Sequence, residues 1–296
     1  MKIGIIGYGR IGKLYFSILN TKYPQSEIVF CDNKEEGCIN NYKDISFSDC
    51  SIVIISTPPH NHYEICDYFI LNTRSCVVLE KPAVIYEEDM FRLSQMYDIY
   101  SNKIYFAYHT LFNPLFKNNL NEQSFDNIII ESKENVVYYH GINSWIYNES
   151  TSGGGCIIDS GVNIFSVLCS IVPNLKVIKC SVKFKTLPVE DYANIKMSSN
   201  KTKVQIYMDW NYQESEVRNY IFENINQKHV IDIANGLSTT MNKSRNSLAQ
   251  NVVDQKSEYE LLIEDFMSFF NNGKSKINFH PLLPLKLVFD CYKLAE

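Results

Sequence analysis

At 296 residues, with 45% hydrophobic and 21% charged side chains, the chain has an ordinary globular composition and a length that suits two domains better than one core. A net charge of −5 leaves no basic footprint for nucleic acid, and no apolar run reaches the roughly 18 residues that span a bilayer. The N-terminus enters a strand without a signal-peptide pattern, and nine scattered cysteines show no Cys-x-x-Cys pair and no Cys/His metal spacing, so a metal-free, cytoplasmic protein with reduced thiols is expected.

Residues 2–7 read as a short apolar strand. Gly7-Tyr8-Gly9-Arg10-Ile11-Gly12 follows, a complete G-x-G-x-x-G, and the chain then turns helical with Ile11, Leu14, Tyr15 and Ile18 at helix spacing. In that context the first glycine makes the turn, the second admits a pyrophosphate to the backbone and the third lets helix and strand pack closely. The unpaired N–H groups of the helix start face the phosphates. The next strand, 27–32, ends at Asp32, 20 residues after the last glycine, where an acid accepts the ribose hydroxyls of NAD. Asp32 and Asn33 also suit a plain turn, and Lys34 leaves NADP open. Strand 51–57 runs into Thr57-Pro58-Pro59, and a helix from about residue 63 follows, with His60 and His62 read as loop residues near the cofactor.

Val77-Val78-Leu79-Glu80-Lys81-Pro82 is an apolar strand stopped by proline, which cannot donate to a sheet ladder. Lys81 therefore stands at a strand's carboxyl end, where open α/β sheets bind ligands. Its competing reading is a surface ion pair with Glu80. A helix near 87–100 and a strand at 104–109, ending in His109, complete a βα alternation that predicts a doubly wound parallel sheet. This Rossmann domain is expected to end near residue 120, after a short helix around Phe112-Asn113-Pro114.

From residue 125 strand-like runs succeed one another at 127–132, 135–140, 176–186, 193–198, 203–210, 217–224 and 228–233. One helix, at about 159–171, interrupts them, entered through Gly153-Gly154-Gly155. That rhythm predicts an α+β domain over 121–296 with a mostly antiparallel sheet. Two amphipathic helices, 258–271 and 284–294, close the chain, and the C-terminal helix is expected to pack back on the first domain. Glu134 and His140, six apart on a strand-like run, fall on one face, for sugar hydroxyls or simply for solvent. Trp145 suits a sugar-stacking rim or a core position.

The glycine fingerprint, Glu80-Lys81-Pro82, and Gly153-Gly154-Gly155 leading to Asp159 and Gly161 resemble the glucose–fructose oxidoreductase and inositol dehydrogenase superfamily, written Gfo/Idh/MocA. The likeness covers nearly the whole chain. It implies an NAD(P)-dependent enzyme acting on a sugar or cyclitol carbinol, and a dimer or tetramer. The superfamily's histidine is here Asn163, and Asp-x-Gly-x-Asn resembles aldose 1-dehydrogenases of the L-arabinose and D-galactose type. Glu134 to Ile146 and the tail from Pro284 are similar to theirs. By that resemblance Lys81, His109, Glu134, His140, Asp159 and Asn163 line a sugar pocket. The segment Gly141-Ile142-Asn143 departs from the group's Pro-Gly-Gln.

Carbinol oxidation needs a proton acceptor and a C–H aimed at the nicotinamide. An amide has no basic lone pair near neutral pH, so Asn163 only orients the hydroxyl. The acceptor is then Lys81, Asp159 or the two as a coupled pair, with Lys81 expected as the main acid/base and Asp159 as its partner. The anomeric hydroxyl is more acidic than an ordinary secondary one, so loss of the histidine points to oxidation at C1. The expected cofactor contacts are Gly7, Gly9, Arg10, Ile11, Gly12, Asp32, Asn33, Thr57, Pro58, His62, Glu80 and Lys81. Other readings are a dehydrogenase for a nucleotide sugar or cyclitol, and a non-catalytic sugar or dinucleotide sensor on the same fold.

Overall fold

The computed structural model describes residues 1–117, 124–242, 246–250 and 255–296. The chain forms two compact units, Met1–His109 with Tyr259–Leu282, and Thr110–Glu258 with Leu283–Glu296. The boundary expected at residue 120 lies outside the described residues. The last helix, Leu283–Lys293, belongs to the second unit, whereas the helix before it, Gln255–Asn272, joins the first unit from Tyr259 onward.

In the first unit β1 (Lys2–Ile6), β2 (Glu27–Cys31), β3 (Ile52–Ile55), β4 (Cys76–Glu80) and β5 (Ile104–Ala107) form a parallel sheet in the order β2-β1-β3-β4-β5. β3 and β5 are buried at every residue, as a sheet covered on both faces requires. The order reverses between β1 and β3, which puts the ligand crevice at their carboxyl ends. The helix Arg10–Lys22 buries Gly12, Tyr15, Ile18 and Leu19. Ile11 and Leu14, expected on that face, are only half-buried, because the bare glycine comes closest to the sheet. The returning helix buries Tyr259, Leu262, Ile263, Phe266 and Met267, a 3–4 residue spacing that presents one apolar stripe to this unit. Each fully buried aliphatic side chain there contributes about 1.5–3 kcal/mol.

The second unit is built on an eight-stranded sheet. β6 (Asn127–Lys133), β7 (Lys176–Lys183), β8 (Tyr192–Ser198), β9 (Lys203–Asp209), β10 (Val217–Glu223), β11 (Gln227–Asp232), β12 (Leu237–Asn242) and β13 (Asn246–Gln250) run in the order β13-β12-β11-β10-β6-β9-β8-β7. All neighbours are antiparallel except β6 and β9. Ala193, Ile195 and Met197 alternate with less buried residues along β8, as do Val204, Ile206 and Met208 along β9. The helices Val162–Ile171 and Leu283–Lys293 pack on each other, and the latter packs on β7.

Three expectations change. Residues 135–140 are not a strand: Val136–His140 is a short helix, capped by the Asn135 side chain on the Tyr138 N–H and ended at Gly141. β12 and β13 lie beyond the last strand-like run expected from the sequence, because their residues are mostly polar; they form by pairing outward from β11. The stretch Glu149–Ile171 is long and apolar enough to cross a membrane, with mean hydropathy 1.5 in its best window, but 72% of that window is buried inside the protein. It is a core segment of the second unit.

Candidate functional site

Gly7 sits at φ +91°, and a Cβ there would lie 2.7 Å from the Ser56 carbonyl and the Thr57 nitrogen. The fingerprint turn thus abuts the end of β3, at the topological reversal. A Cβ at Gly12 would lie 2.1 Å from the Gly7 carbonyl oxygen, so only glycine lets the helix come this close. Gly9 faces open space. It precedes a helix with no side-chain cap and no acidic residue in its first turn, so the leading N–H groups suit an anion. Asp32 follows β2 and is half-buried; its Oδ2 accepts the Tyr8 N–H and its Oδ1 the Lys34 N–H, both at 2.8 Å. These bonds fix a carboxylate whose remaining lone pairs suit vicinal hydroxyls. The Thr57 Oγ1 is buried without a partner, and an unsatisfied polar atom of that kind costs about 1–3 kcal/mol unless a ligand completes it. The residues of this turn therefore fit a dinucleotide. Asn33 is exposed beside Asp32, and Pro58 leads into the short turn Pro59–Asn61.

His62 is not in a loop. It opens the helix His62–Asn72 and is buried, with Nδ1 3.0 Å from the Pro82 carbonyl and Nε2 2.8 Å from the Thr57 carbonyl. Both ring nitrogens face backbone carbonyls, of which a neutral imidazole can donate to only one, and the ring sits between the turn after β3 and the turn after β4. Burial pushes its pKa down to about 4, against the pull of the two carbonyls. Between the unfolded value of 6.5 and about 4, the unfolded chain binds a proton that the folded chain does not. Stability present above pH 6.5 is therefore lost as pH falls through that window, by about 3 kcal/mol in all. Urea denaturation at pH 7 and pH 4 should show wild type losing about that much more than His62→Gln; equal losses would refute it.

Lys81 follows β4, and its peptide bond to Pro82 is cis. Glu80, expected to touch the cofactor, is instead buried with both oxygens engaged. Its Oε1 accepts the Tyr15 hydroxyl at 2.8 Å and the Tyr259 hydroxyl at 3.1 Å, and its Oε2 accepts the Lys81 N–H at 3.1 Å. Burial pushes the Glu80 carboxyl up, opposed by His109, the Tyr15 hydroxyl, Lys81 and the Tyr259 hydroxyl. His109 is buried and stacks on Tyr259 at 5.0 Å and 17°. The first unit thus brings Lys81 and His109 to one buried carboxylate. Sequence reasoning missed Tyr15 and Tyr259, since neither carries a motif.

In the second unit Asp159 lies on a π-turn, Ile157–Gly161, a distortion common at functional sites. The glycines before it are set by close approach: a Cβ at Gly155 would meet the Glu190 carbonyl oxygen at 2.0 Å. Buried Glu190 also accepts the Ile157 N–H at 3.1 Å and the Tyr292 hydroxyl at 2.8 Å, which anchors the turn. Ser160, next to Asp159, donates to Glu134 Oε1 at 3.4 Å and accepts the Trp210 indole N–H at 2.9 Å. Arg218 pairs with Glu134 at 3.4 Å and also with Glu216. Glu134 is therefore joined to the Asp159 turn. His140 is not on a common strand face with it: it ends the short helix, exposed. Trp145 is 44% exposed and so is not a core position. Asn163 Oδ1, one turn beyond Asp159, and the Tyr147 hydroxyl are buried and unpartnered in this unit. Tyr147 was not anticipated.

Residues 1–108 match the model of an oxidoreductase family, Gfo/Idh/MocA, described as having an NAD-binding Rossmann fold. The matched residues are the first unit without its returning helix. No curated protein matches the chain. The whole chain shares its fold with solved structures. A D-galactose-1-dehydrogenase protein from Rhizobium etli aligns over 100% of this chain and 95% of its own, with a TM-score of 0.79 and 19% identity. A levoglucosan dehydrogenase in complex with NADH and levoglucosan aligns over 99% and 97%, at 0.79 and 14%. A UDP-N-acetylglucosamine 3-dehydrogenase from Acidithiobacillus ferrooxidans aligns over 99% and 96%, at 0.81 and 12%.

Proposed function

We propose that the chain is an NAD-dependent dehydrogenase that oxidises the anomeric hydroxyl of an aldose to a lactone. The observation that carries this reading is the setting of Lys81, held by buried Glu80 at the carboxyl end of β4 within a Rossmann sheet whose glycine turn fits a dinucleotide. Bound NAD supplies the hydride acceptor. Gly9 and the first turn of the following helix hold the pyrophosphate, Asp32 the adenosine ribose, and Thr57 and Pro58 the nicotinamide end. Lys81 takes the hydroxyl proton, with Asp159 as its ionic partner. The buried, unpartnered Oδ1 of Asn163 accepts a hydrogen bond from a sugar hydroxyl and orients it. His109, Glu134, His140 and Trp145 bind the remaining sugar surface. An amide in place of a second base suits C1, whose ring oxygen acidifies the hydroxyl and stabilises positive character as hydride leaves. Overall, aldose and NAD give lactone, NADH and a proton.

A panel of free pentoses and hexoses, each deuterated at C1, assayed with NAD and NADP, tests the reading. Deuterium should appear in NADH from C1. Transfer from C3, or turnover confined to nucleotide sugars or cyclitols, would defeat it. NADH binding with no turnover on any sugar would point to a sensor.

A further inference from the structure

We infer that Tyr259 is a positioning residue that sets Lys81 and His109 together, an inference that rests on the reading in which those two side chains meet the substrate. Tyr259 is 1% exposed and belongs to the helix Gln255–Asn272, which is anchored in the first unit by fully buried Leu262, Ile263 and Phe266. Its hydroxyl and its ring serve different partners. The hydroxyl donates to Glu80 Oε1 at 3.1 Å, beside the Tyr15 hydroxyl at 2.8 Å. Two phenols on one oxygen stop the carboxylate from rotating, so Oε2 stays on the Lys81 N–H at 3.1 Å. The ring lies under the His109 imidazole, 5.0 Å away and 17° from parallel, and meets the Tyr15 ring edge-on at 5.2 Å and 86°. One side chain from a distant helix thereby fixes the backbone of the proposed acid/base and the plane of a proposed substrate contact. A buried carboxylate with fewer donors would turn, and the lysine that follows it would lose its aim. Misplacement of a reacting group by about 1 Å costs on the order of 100-fold in rate.

The two roles separate by substitution. Tyr259→Phe keeps the ring under His109 and removes the hydroxyl from Glu80. It should lower kcat by about tenfold, with KM for the sugar and Kd for NADH within about twofold of wild type. Tyr259→Leu removes both, and should also raise KM by about fivefold or more as His109 loses its stack. If the leucine variant does not fold, the phenylalanine variant decides. Unchanged kcat in Tyr259→Phe, or a loss of NADH affinity parallel to the loss of kcat, overturns the inference. A readout that needs no turnover accompanies this: the NMR signal of reductively ¹³C-methylated Lys81, assigned by its absence in Lys81→Met. It should shift in Tyr259→Phe, and an unmoved signal overturns the inference. If wild type oxidises no sugar, the dehydrogenase reading fails and the Lys81 signal alone decides whether Tyr259 positions it.

Discussion

Lys81→Met should lower kcat about a thousandfold while Kd for NADH stays within about twofold. Methionine keeps the length and most of the volume of the lysine stem and removes only the titrating amine. General acid–base catalysis by one positioned group contributes about 10²–10⁴ in rate, and the substitution removes that group outright. The backbone bond from residue 81 to Glu80 does not depend on the side chain, so the end of β4 keeps its shape. Cofactor affinity reads the glycine turn and Asp32, which the substitution does not touch. NADH fluorescence titration and the initial rate of NAD reduction measure the two effects separately. Asp159→Asn is the matched control: a smaller loss than in Lys81→Met assigns the proton to the lysine. Retention of more than a tenth of the wild-type kcat in Lys81→Met would remove Lys81 from the proton path.

Gly12→Ala has the other large effect, and it strikes fold and cofactor together. The added Cβ would stand 2.1 Å from the Gly7 carbonyl oxygen, a backbone atom that cannot swing aside. Gly7 is itself pressed against the backbone of Ser56 and Thr57, so pushing it away disturbs β3 as well. The helix Arg10–Lys22 cannot retreat freely either, because Tyr15, Ile18 and Leu19 are buried beneath it. Overpacking of this kind costs about 1–3 kcal/mol, which for a unit of this size lowers Tm by roughly 5–10 °C. The pyrophosphate cradle moves with the turn, so NADH affinity should fall by about a hundredfold or more. Thermal melting with and without NADH checks both, since a bound ligand at free concentration L stabilises the fold by RT ln(1 + L/Kd) and its Tm shift shrinks as Kd rises. An unchanged melting temperature and an unchanged ligand-induced shift would show that the helix start is not held as described.

Legibility in the sequence followed the range of the interactions concerned. The helix Glu87–Tyr100 lies where one is expected from the sequence, near 87–100. The fingerprint glycines act on neighbours a few residues away or on an adjacent strand, so their pattern carried their role. Val136–His140 misled, because Val-Val-Tyr-Tyr has strand propensity and the deciding contact is a single Asn135 cap. β12, polar and unremarkable as sequence, exists because β11 offers it a free edge. At the site, Glu80 and Lys81 were legible as a strand end, but not that Glu80 faces inward to two phenols. Nothing near Tyr259 marks it, and its partner Glu80 is 179 positions away.

By itself the sequence determined the alternation of apolar strands with amphipathic helices, the dinucleotide turn, and the change to a mostly antiparallel second half. These depend on hydrophobic period and on glycine sterics, both of which are local. Tertiary structure alone decided which polar groups are buried and with whom: the carboxylate of Glu80 between Tyr15 and Tyr259, His62 across two turns, Glu134 joined to Ser160 and Arg218. A buried polar group must find its partner wherever the fold brings one, and distance along the chain places no limit on where that is.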